Sequence, residues 1–508
     1  MNHKITLYPS QKKIIFPHNT LLLDILKKLS IDLETPCGGK GFCRKCLIMI
    51  KTKKAKDFSS CLACQIFLKE DLIIKIDLPK KLSNSKKIKE FIDQKSNFAL
   101  ALDLGTTTIQ ISLVNLTKKK TLLIDSFLNP QKKYGYDVIS RIAAAQDKKN
   151  LDKISYLVIK SINRSLIKNL KNLPLAPKIK EMTLAGNTTM TYLLLGLDPS
   201  PLGQYPYKVK KTVFHKSDFI NLTSLSPKIF LHPVSSAFIG GDVIGGIALL
   251  DQLKYKKNIF FIDLGTNGEI CLIDNQENIY ASSSAMGPAL EGMNISCGML
   301  ASQGAINHFW EEKKELKYSV IESNEPKGIC GTGLIDLLSL LLKRNIITKT
   351  GLISQEFDNN YTSGTKNYFK NIKIIKKRKI TSILLFDKIL LSQQDIRNIQ
   401  LAKGASLATS YLLFKEANYK KENISHVIIS GTLGKNLNID NFKKLKFIPN
   451  FKKAKFHLLG NTSLQSAELS CLDPNFRKKI LVIKKKIKTI NLANHKIFAK
   501  TFLKSLNF

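Results

Sequence analysis

The 508-residue sequence predicts a multidomain chain of α+β and α/β class: a small N-terminal β-grasp module, then a large α/β body made of two related halves. Three observations predict it. Residues 1–78 run strand, strand, helix, Cys-rich loop, strand, strand. Residues 98–508 alternate strands with helices. Within that second part, one strand–turn–strand unit occurs twice.

In the module, Lys4–Leu7 and Lys13–Phe16 read as a hairpin, and Leu21–Leu29 has the apolar spacing of a helix. Cys46–Ile50 and Leu72–Ile76 read as strands. Residues 79–97, rich in Lys, Ser and Asn, read as a linker. The body is expected to divide into 98–255 and 256–508. Phe98–Leu104 ends in Asp-Leu-Gly-Thr-Thr-Thr and leads into a second strand, Ile109–Leu116. About 160 residues later, Ile259–Leu264 ends in Asp-Leu-Gly-Thr-Asn-Gly and leads into Glu269–Ile273.

Composition narrows the function classes. Hydrophobic residues make up 44% of the chain, which marks a folded globular protein. Met1–Ser10 has no basic stretch followed by an apolar one, so no signal peptide is expected. The strongest apolar run, Leu334–Leu342, is far short of the ~20 residues that span a bilayer. A cytoplasmic protein with no membrane association is the expectation. The net charge of +41 raises a nucleic-acid binder. The basic residues are nearly all Lys and spread along the whole chain, however, and no zinc finger or RNA-recognition signature accompanies them. That pattern is compositional bias with a solvated basic surface, and no specific nucleic acid is expected. Such a surface still speeds docking to an acidic protein.

Five of the nine cysteines fall between Cys37 and Cys64. Cys37, Cys43 and Cys46 have C-x5-C-x2-C spacing in a Gly-rich loop, with Cys64 further on. Thiolates suit iron–sulfur clusters or zinc. Zinc sites generally use paired C-x2-C knuckles, whereas three thiolates in one loop and a fourth from a distant strand suit a 2Fe–2S cluster. Glycines let the backbone wrap closely, so that N–H groups point at the sulfurs. Cys61 and Cys64 both qualify as fourth ligand. Leu62-Ala63-Cys64-Gln65, before a strand-like stretch, favours Cys64. Cys271, Cys297, Cys330 and Cys471 stand alone and read as structural.

The two repeated turns carry the other chemistry. Asp103, Gly105, Thr106, Thr107 and Thr108 form the first; Asp263, Gly265, Thr266 and Asn267 form the second. An acid at a strand end can hold Mg²⁺ or its waters. Gly permits close approach to phosphate, and Thr hydroxyls and backbone N–H groups donate to it. Facing each other across a cleft, such turns would grip a polyphosphate from both sides. A third element, the strand His426–Ser430 running into Gly431-Thr432-Leu433-Gly434, would let an adenine lie against the backbone at Gly431 and Gly434. The three in this order are similar to the actin, hexokinase and Hsp70 ATPase fold, which implies a duplicated RNase H-like core binding ATP with Mg. Asp242 and Glu291 are the further acids to test as Mg²⁺ ligands or water-orienting bases.

Taken together, the motifs resemble the reductive activators of corrinoid-dependent methyltransferases, which are ferredoxin-fused ATPases. The resemblance spans Cys37–Cys64, Ala101–Thr108, Ala185–Met190, Phe261–Ile270, Gly287–Gly304 and Gly328–Leu337. It continues through Ser392–Gly404, Gly431–Gly434 and Gly460–Ala467. It implies that an electron passes from the cluster to a corrinoid Co(II), regenerating nucleophilic Co(I), with ATP overcoming the uphill step. It also implies a corrinoid protein as partner and an external low-potential electron donor, with a homodimer as the candidate assembly. The rival readings are reductive activation of another metalloprotein and a small-molecule kinase with a regulatory cluster.

Overall fold

The computed structural model describes residues 2–8, 11–29, 31, 33, 46–52, 55, 57–75, 85–171, 177–215, 227–354, 369–377, 380–431, 433–492 and 495–508. Cys37, Cys43 and Thr432 lie outside the described residues, as does the start of the expected linker.

The module contains β1 (Asn2–Tyr8), β2 (Lys12–Pro17), α1 (Leu22–Lys28), β3 (Leu47–Thr52), β4 (Ser59–Leu62) and β5 (Leu72–Lys75). Its sheet runs β2-β1-β5-β3-β4, with β1 and β5 parallel in the middle. Alternation puts Ile5, Leu7 and Ile74 on the face that α1 covers with Leu22, Ile25 and Leu26. This is the expected β-grasp, with one strand more than the sequence pattern revealed. β4 is short and polar at its start, so it carries little of the alternation that exposes a strand.

The expected linker is partly helical. α2 (Ser85–Phe91) presents Ile88 and Phe91, with Ile92 just beyond, to the core of the following domain. Spacing of three and four residues puts all three on one face. The Lys-rich composition around them hid the helix.

The first half of the body contains β6 (Phe98–Leu104), β7 (Thr108–Asn115), β8 (Lys120–Leu128), α3 (Val138–Ala144) and α4 (Lys148–Leu166). It continues with β9 (Ile179–Gly186), α5 (Thr188–Leu194), α6 (Ser200–Gly203), β10 (Lys228–Leu231) and α7 (Gly241–Gln252). Its sheet runs β10-β9-β6-β7-β8, an antiparallel meander extended by two parallel strands. The second half repeats that plan with β11 (Ile259–Leu264), β12 (Gly268–Ile273) and β13 (Ile279–Ser284). An insertion follows, comprising β14 (Ala305–Glu312), β15 (Glu315–Val320), β16 (Gly328–Ile329), α8 (Gly331–Lys343), β17 (Ile372–Lys377), β18 (Ile380–Leu385) and β19 (Ile389–Ser392). Then come α9 (Gln393–Glu416), β20 (His426–Ser430), α10 (Ile439–Lys444), β21 (Lys455–Leu458), α11 (Thr462–Leu472), α12 (Pro474–Lys486), β22 (Ile487–Thr489) and α13 (Phe498–Lys504). The second sheet runs β21-β20-β11-β12-β13-β22. Parallel β11, β20 and β21 match β6, β9 and β10. The duplication is therefore present in the topology: two RNase H-like halves form an actin- and hexokinase-like body.

The two halves interlace. α7 precedes the second sheet in sequence, yet its Val243, Ile244 and Ile247 pack with Ile259, Phe261 and Ile428 of that sheet. α11 follows the second sheet, yet its Leu464, Ala467 and Cys471 pack against Ala99, Ala101 and Ala185 of the first. The helices meet through small residues: a Cβ on Gly245 would run into Ser466 Oγ. Buried His232 locks the crossing, its Nδ1 3.0 Å from Gly241 O and its Nε2 3.0 Å from Ser470 Oγ. Burial depresses its pKa to about 4, so the ring is neutral, donating from Nδ1 to the carbonyl.

Candidate functional site

Strand polarity puts the C-terminal ends of the parallel strands of both sheets at one cleft, where α/β sheets bind ligands. The cleft, mouth included, has an empty volume of about 1050 Å³. Asp103 and Asp263 are the penultimate residues of β6 and β11, and each faces a polar residue across its hairpin: Asp103 pairs with Gln110 and Asp263 with Glu269. The hairpins close through Gly105 N–H to Thr108 O (3.1 Å) and Gly265 N–H to Asn267 O (3.0 Å). Four helices, α5, α7, α8 and α11, begin around the cleft, so their unpaired N–H groups and dipoles favour an anionic ligand there.

Two N-cap asparagines hold the first turn. Asn187 Oδ1 accepts from Met190 N–H to cap α5, while its amide donates to Thr106 Oγ1 at 2.9 Å. Asn461 Oδ1 accepts from Leu464 N–H to cap α11, while its amide donates to Asp103 at 2.6 Å and to Gln110 Oε1 at 2.9 Å. Ser463 adds a 2.7 Å bond to the other Asp103 oxygen. The turns of the two halves are joined by Glu291. Thr107 and Thr266 both donate to its Oε2, at 2.7 and 3.0 Å, and their hydroxyls stand 3.1 Å apart. The segment carrying Glu291 is anchored at Ser296, whose N–H donates to Asp395 Oδ1 at 2.6 Å; Asp395 also completes the capping box of α9.

Five carboxyl groups, Asp103, Asp242, Asp263, Glu269 and Glu291, line this one cleft. Burial disfavours ionisation of all five. Burial, then repulsion from Asp263 and Asp103, pushes Asp242 up to about 7. Burial raises Asp263 to about 6 against the Ser430 hydrogen bond, with Asp103 adding to the rise. Burial and the neighbouring Asp242 and Asp263 hold Glu269 well above its usual range. Asp103 and Glu291 are raised by burial despite the side chains that donate to them. Like charges at this density cost free energy unless a cation or protons neutralise them. Oxygen-only donors are the set that suits a hard divalent cation such as Mg²⁺.

Part of the cleft lining is apolar, contributed by Leu290, Met299, Leu300 and Leu433 with Gly331 and Gly431. Gly431 has φ +99°, and a Cβ there would enter the Leu264 carbonyl; only glycine reaches this conformation without strain. A flat heterocycle fits such a wall.

All the acids and turn residues singled out in the sequence, from Asp103 through Asn267, meet here, as does Gly431. Gly434 does not line the cleft. It packs under the sheet, where a Cβ would meet Leu459 O at 2.7 Å. Sequence reasoning overlooked Glu269 and Gln110, although each is the cross-strand partner of a chosen aspartate. It named the segments containing Asn187 and Asn461 without seeing that their amides reach the first turn and its hairpin.

In the module, Cys46 and Cys64 are buried and their Sγ atoms lie 3.1 Å apart without a disulfide bond. Two sulfurs converging this closely fit two ligands of one metal-bearing centre. Gln65 supports them, its amide donating to Cys64 Sγ at 3.6 Å and to Cys64 O at 3.0 Å. Cys61 sits on β4 opposite Ile48, and burial raises its thiol pKa.

Fold and site together define a ferredoxin-fused ATPase of the actin and hexokinase type. Three family descriptions match the chain in order. Residues 5–69 match the 2Fe-2S iron-sulfur cluster binding domain, 98–254 the RACo middle region, and 257–508 the C-terminal domain of RACo, the ASKHA domain. The chain belongs to the RACo family. It is 25% identical to the "Corrinoid activation enzyme RamQ" of Eubacterium limosum over 98% of both chains. It is 26% identical to the "[Co(II) methylated amine-specific corrinoid protein] reductase" of Methanosarcina barkeri over 81% of this chain and 77% of that one. The solved structure of a "Reductive activator for corrinoid,iron-sulfur protein" has the same fold, with TM-score 0.72 and 24% identity over 100% of this chain and 98% of that one. No helix among the described residues is long and apolar enough to cross a membrane.

Proposed function

We propose that this chain is an ATP-dependent reductive activator that delivers one electron to the Co(II) of a corrinoid protein and regenerates Co(I). The observation that carries the reading is the presence, on one chain, of a converging thiol pair and a two-sided cleft clamped through Glu291. The names of the two curated relatives supply the corrinoid target. A 2Fe–2S cluster held by Cys37, Cys43, Cys46 and Cys64 supplies a single low-potential electron, taken from an external donor.

The remaining roles follow from the residues. Gly105–Thr108 and Gly265–Asn267 hold the phosphates from opposite halves. Asp103, Asp242 and Asp263 would hold Mg²⁺, Glu269 would add its charge to theirs, and Glu291 would orient the attacking water. Gly431 gives the adenosine its backbone wall, and Gly434 supports that turn from behind. Asp242 and Asn461 stand at the starts of α7 and α11, the helices that cross between the halves. Phosphate and Mg²⁺ bound there would sit where the halves interlace, so that α7 and α11 could carry their release to the two sheets. That two-state change favours a complex in which the corrinoid cobalt is easier to reduce. We take 1–78, 98–255 and 256–508 as the working units, a homodimer as the assembly and the cytoplasm as the location.

The test is anaerobic. Reduced protein, Mg-ATP and a Co(II) corrinoid protein are mixed, and Co(I) is followed optically. Co(I) formation with ATP and none without it supports the proposal. Co(II) that persists with all three present removes it.

A further inference from the structure

Residues 287–299 form a strap between β13 and β14, and both ends of it reach the cleft, through Leu290 and Glu291 on one side and Met299 on the other. Its regular structure is the single turn Pro288–Glu291, flanked by Gly287 at φ +69° and Gly292 at φ +74°. Glu291 therefore rides on no long helix or strand. A group that aims a water at phosphate has to be held to within about half an ångström. We infer that Asp395 and Asn398, at the start of α9, are positioning residues for ATP hydrolysis: they pin this strap so that Glu291 stays between the two turns. The inference rests on the reading of Glu291 as the water-orienting acid and adds what places it.

Asp395 makes more bonds than a helix cap requires. The capping box of α9 needs Ser392 alone, whose N–H donates to Asp395 Oδ2 at 2.8 Å and whose Oγ accepts from Asp395 N–H at 3.2 Å. Asp395 also takes both donors of Ser296 on the strap: the N–H reaches Oδ1 at 2.6 Å, and the hydroxyl reaches Oδ2. One helical turn on, the Asn398 amide donates to Asn294 O at 2.6 Å. Residues three apart share a helix face, so one face of α9 grips the strap at two points. Asp395 is 3% exposed. Its bonds are charge-assisted and shielded from water, which makes them strong. Beyond this grip the strap is fixed to β16, with Ile329 N–H donating to Cys297 O at 2.8 Å and Met299 N–H to Ile329 O at 2.9 Å.

Glu291 shows what the placement achieves. Its Oε2 accepts from Thr107 and Thr266, one in each half of the body. Its Oε1 takes no hydrogen bond among the described residues, on a side chain that lines the cleft. That oxygen is the acceptor available to a water. Loosening the strap misplaces it while the groups that bind phosphate stay where they are, so turnover suffers and binding does not.

The test measures kcat and KM for ATP hydrolysis on the full-length, cluster-loaded protein. Ser296→Ala combined with Asn398→Ala cuts the side-chain tethers and leaves the α9 cap intact. Ser296 is exposed and Asn398 half-buried, so the fold tolerates the pair. The double variant should lose about tenfold in kcat, with KM and ADP affinity within about twofold of wild type. Asp395→Asn, with one acceptor oxygen in place of two, should move kcat the same way. In a Glu291→Gln background, itself low in kcat, the pair should cost nothing further, because tether and acid act as a unit. Ser392→Ala weakens the cap and not the tether, so it should lower the melting temperature and keep kcat, a split that a merely structural role of this turn would not give. Unchanged kcat in the double variant, or an equal loss in Ser392→Ala, overturns the inference and leaves the role of Glu291 standing. Wild-type kcat in Glu291→Gln overturns that role and the inference with it.

Discussion

Replacing Asp242 by Asn should stabilise the nucleotide-free protein while removing its ATPase activity. Asp242 is pushed from 3.8 to about 7, first by burial and then by Asp263 and Asp103. Three pKa units correspond to about 4 kcal/mol against the charged form. Asp242 lines the cleft beside other acids, whose protonation shifts when it changes, so roughly half of that is the expected gain. The sign follows from linkage. Between pH 3.8 and about 7 the folded state binds more protons at this site than the unfolded chain. Stability therefore falls as pH rises through that window, and the full penalty is present above it. Asn keeps the oxygen that accepts from Val243 N–H at 2.8 Å but carries no charge. Denaturant melts in a metal chelator should show Asp242→Asn more stable than wild type by about 2 kcal/mol at pH 8, and by almost nothing at pH 4. Saturating Mg-ATP should erase the difference by neutralising the wild-type site. Equal stability at pH 8, or the same gain at both pH values, would refute the reasoning.

Three further outcomes are expected. Gly431→Ala should abolish nucleotide binding, measured by calorimetry, and cost about 1–3 kcal/mol in thermal unfolding, because φ +99° puts Ala in a strained region. His232 has a folded pKa near 4 against 6.5, so its contribution is complete above pH 6.5 and is lost as pH falls toward about 4. The whole effect is about 3 kcal/mol, and His232→Gln should flatten that part of a stability-versus-pH curve. Gln65→Met removes the amide donor from Cys64 Sγ, and a lost N–H···S bond disfavours the more negative reduced form. The reduction potential, followed by electron paramagnetic resonance, should drop with the reduced signal still present.

Much of this architecture was legible because it lies in short-range pattern. The strands Phe98–Leu104, Ile259–Leu264 and His426–Ser430 are runs of apolar residues that stop at Asp or Gly, and all three form as read. The repeated Asp-Leu-Gly-Thr announced the duplication that the sheet orders show. What escaped depends on long-range geometry. Nothing local in Gly241–Gln252 or Thr462–Leu472 says that each helix packs on the other half's sheet. Glu269 escaped because membership of the cleft comes from its register with Asp263. The helix inside the expected linker was masked by lysines flanking three well-spaced apolar residues.

The whole account turns on coupling between an N-terminal electron carrier and a nucleotide cleft in the same chain. The most direct measurement is the rate of Co(I) formation on a corrinoid partner by the reduced protein, for wild type, Cys64→Ser and Asp263→Asn, each with and without Mg-ATP. The account predicts ATP-dependent reduction in wild type alone. Co(I) formed at the same rate with Asp263→Asn, or by wild type without nucleotide, would contradict it.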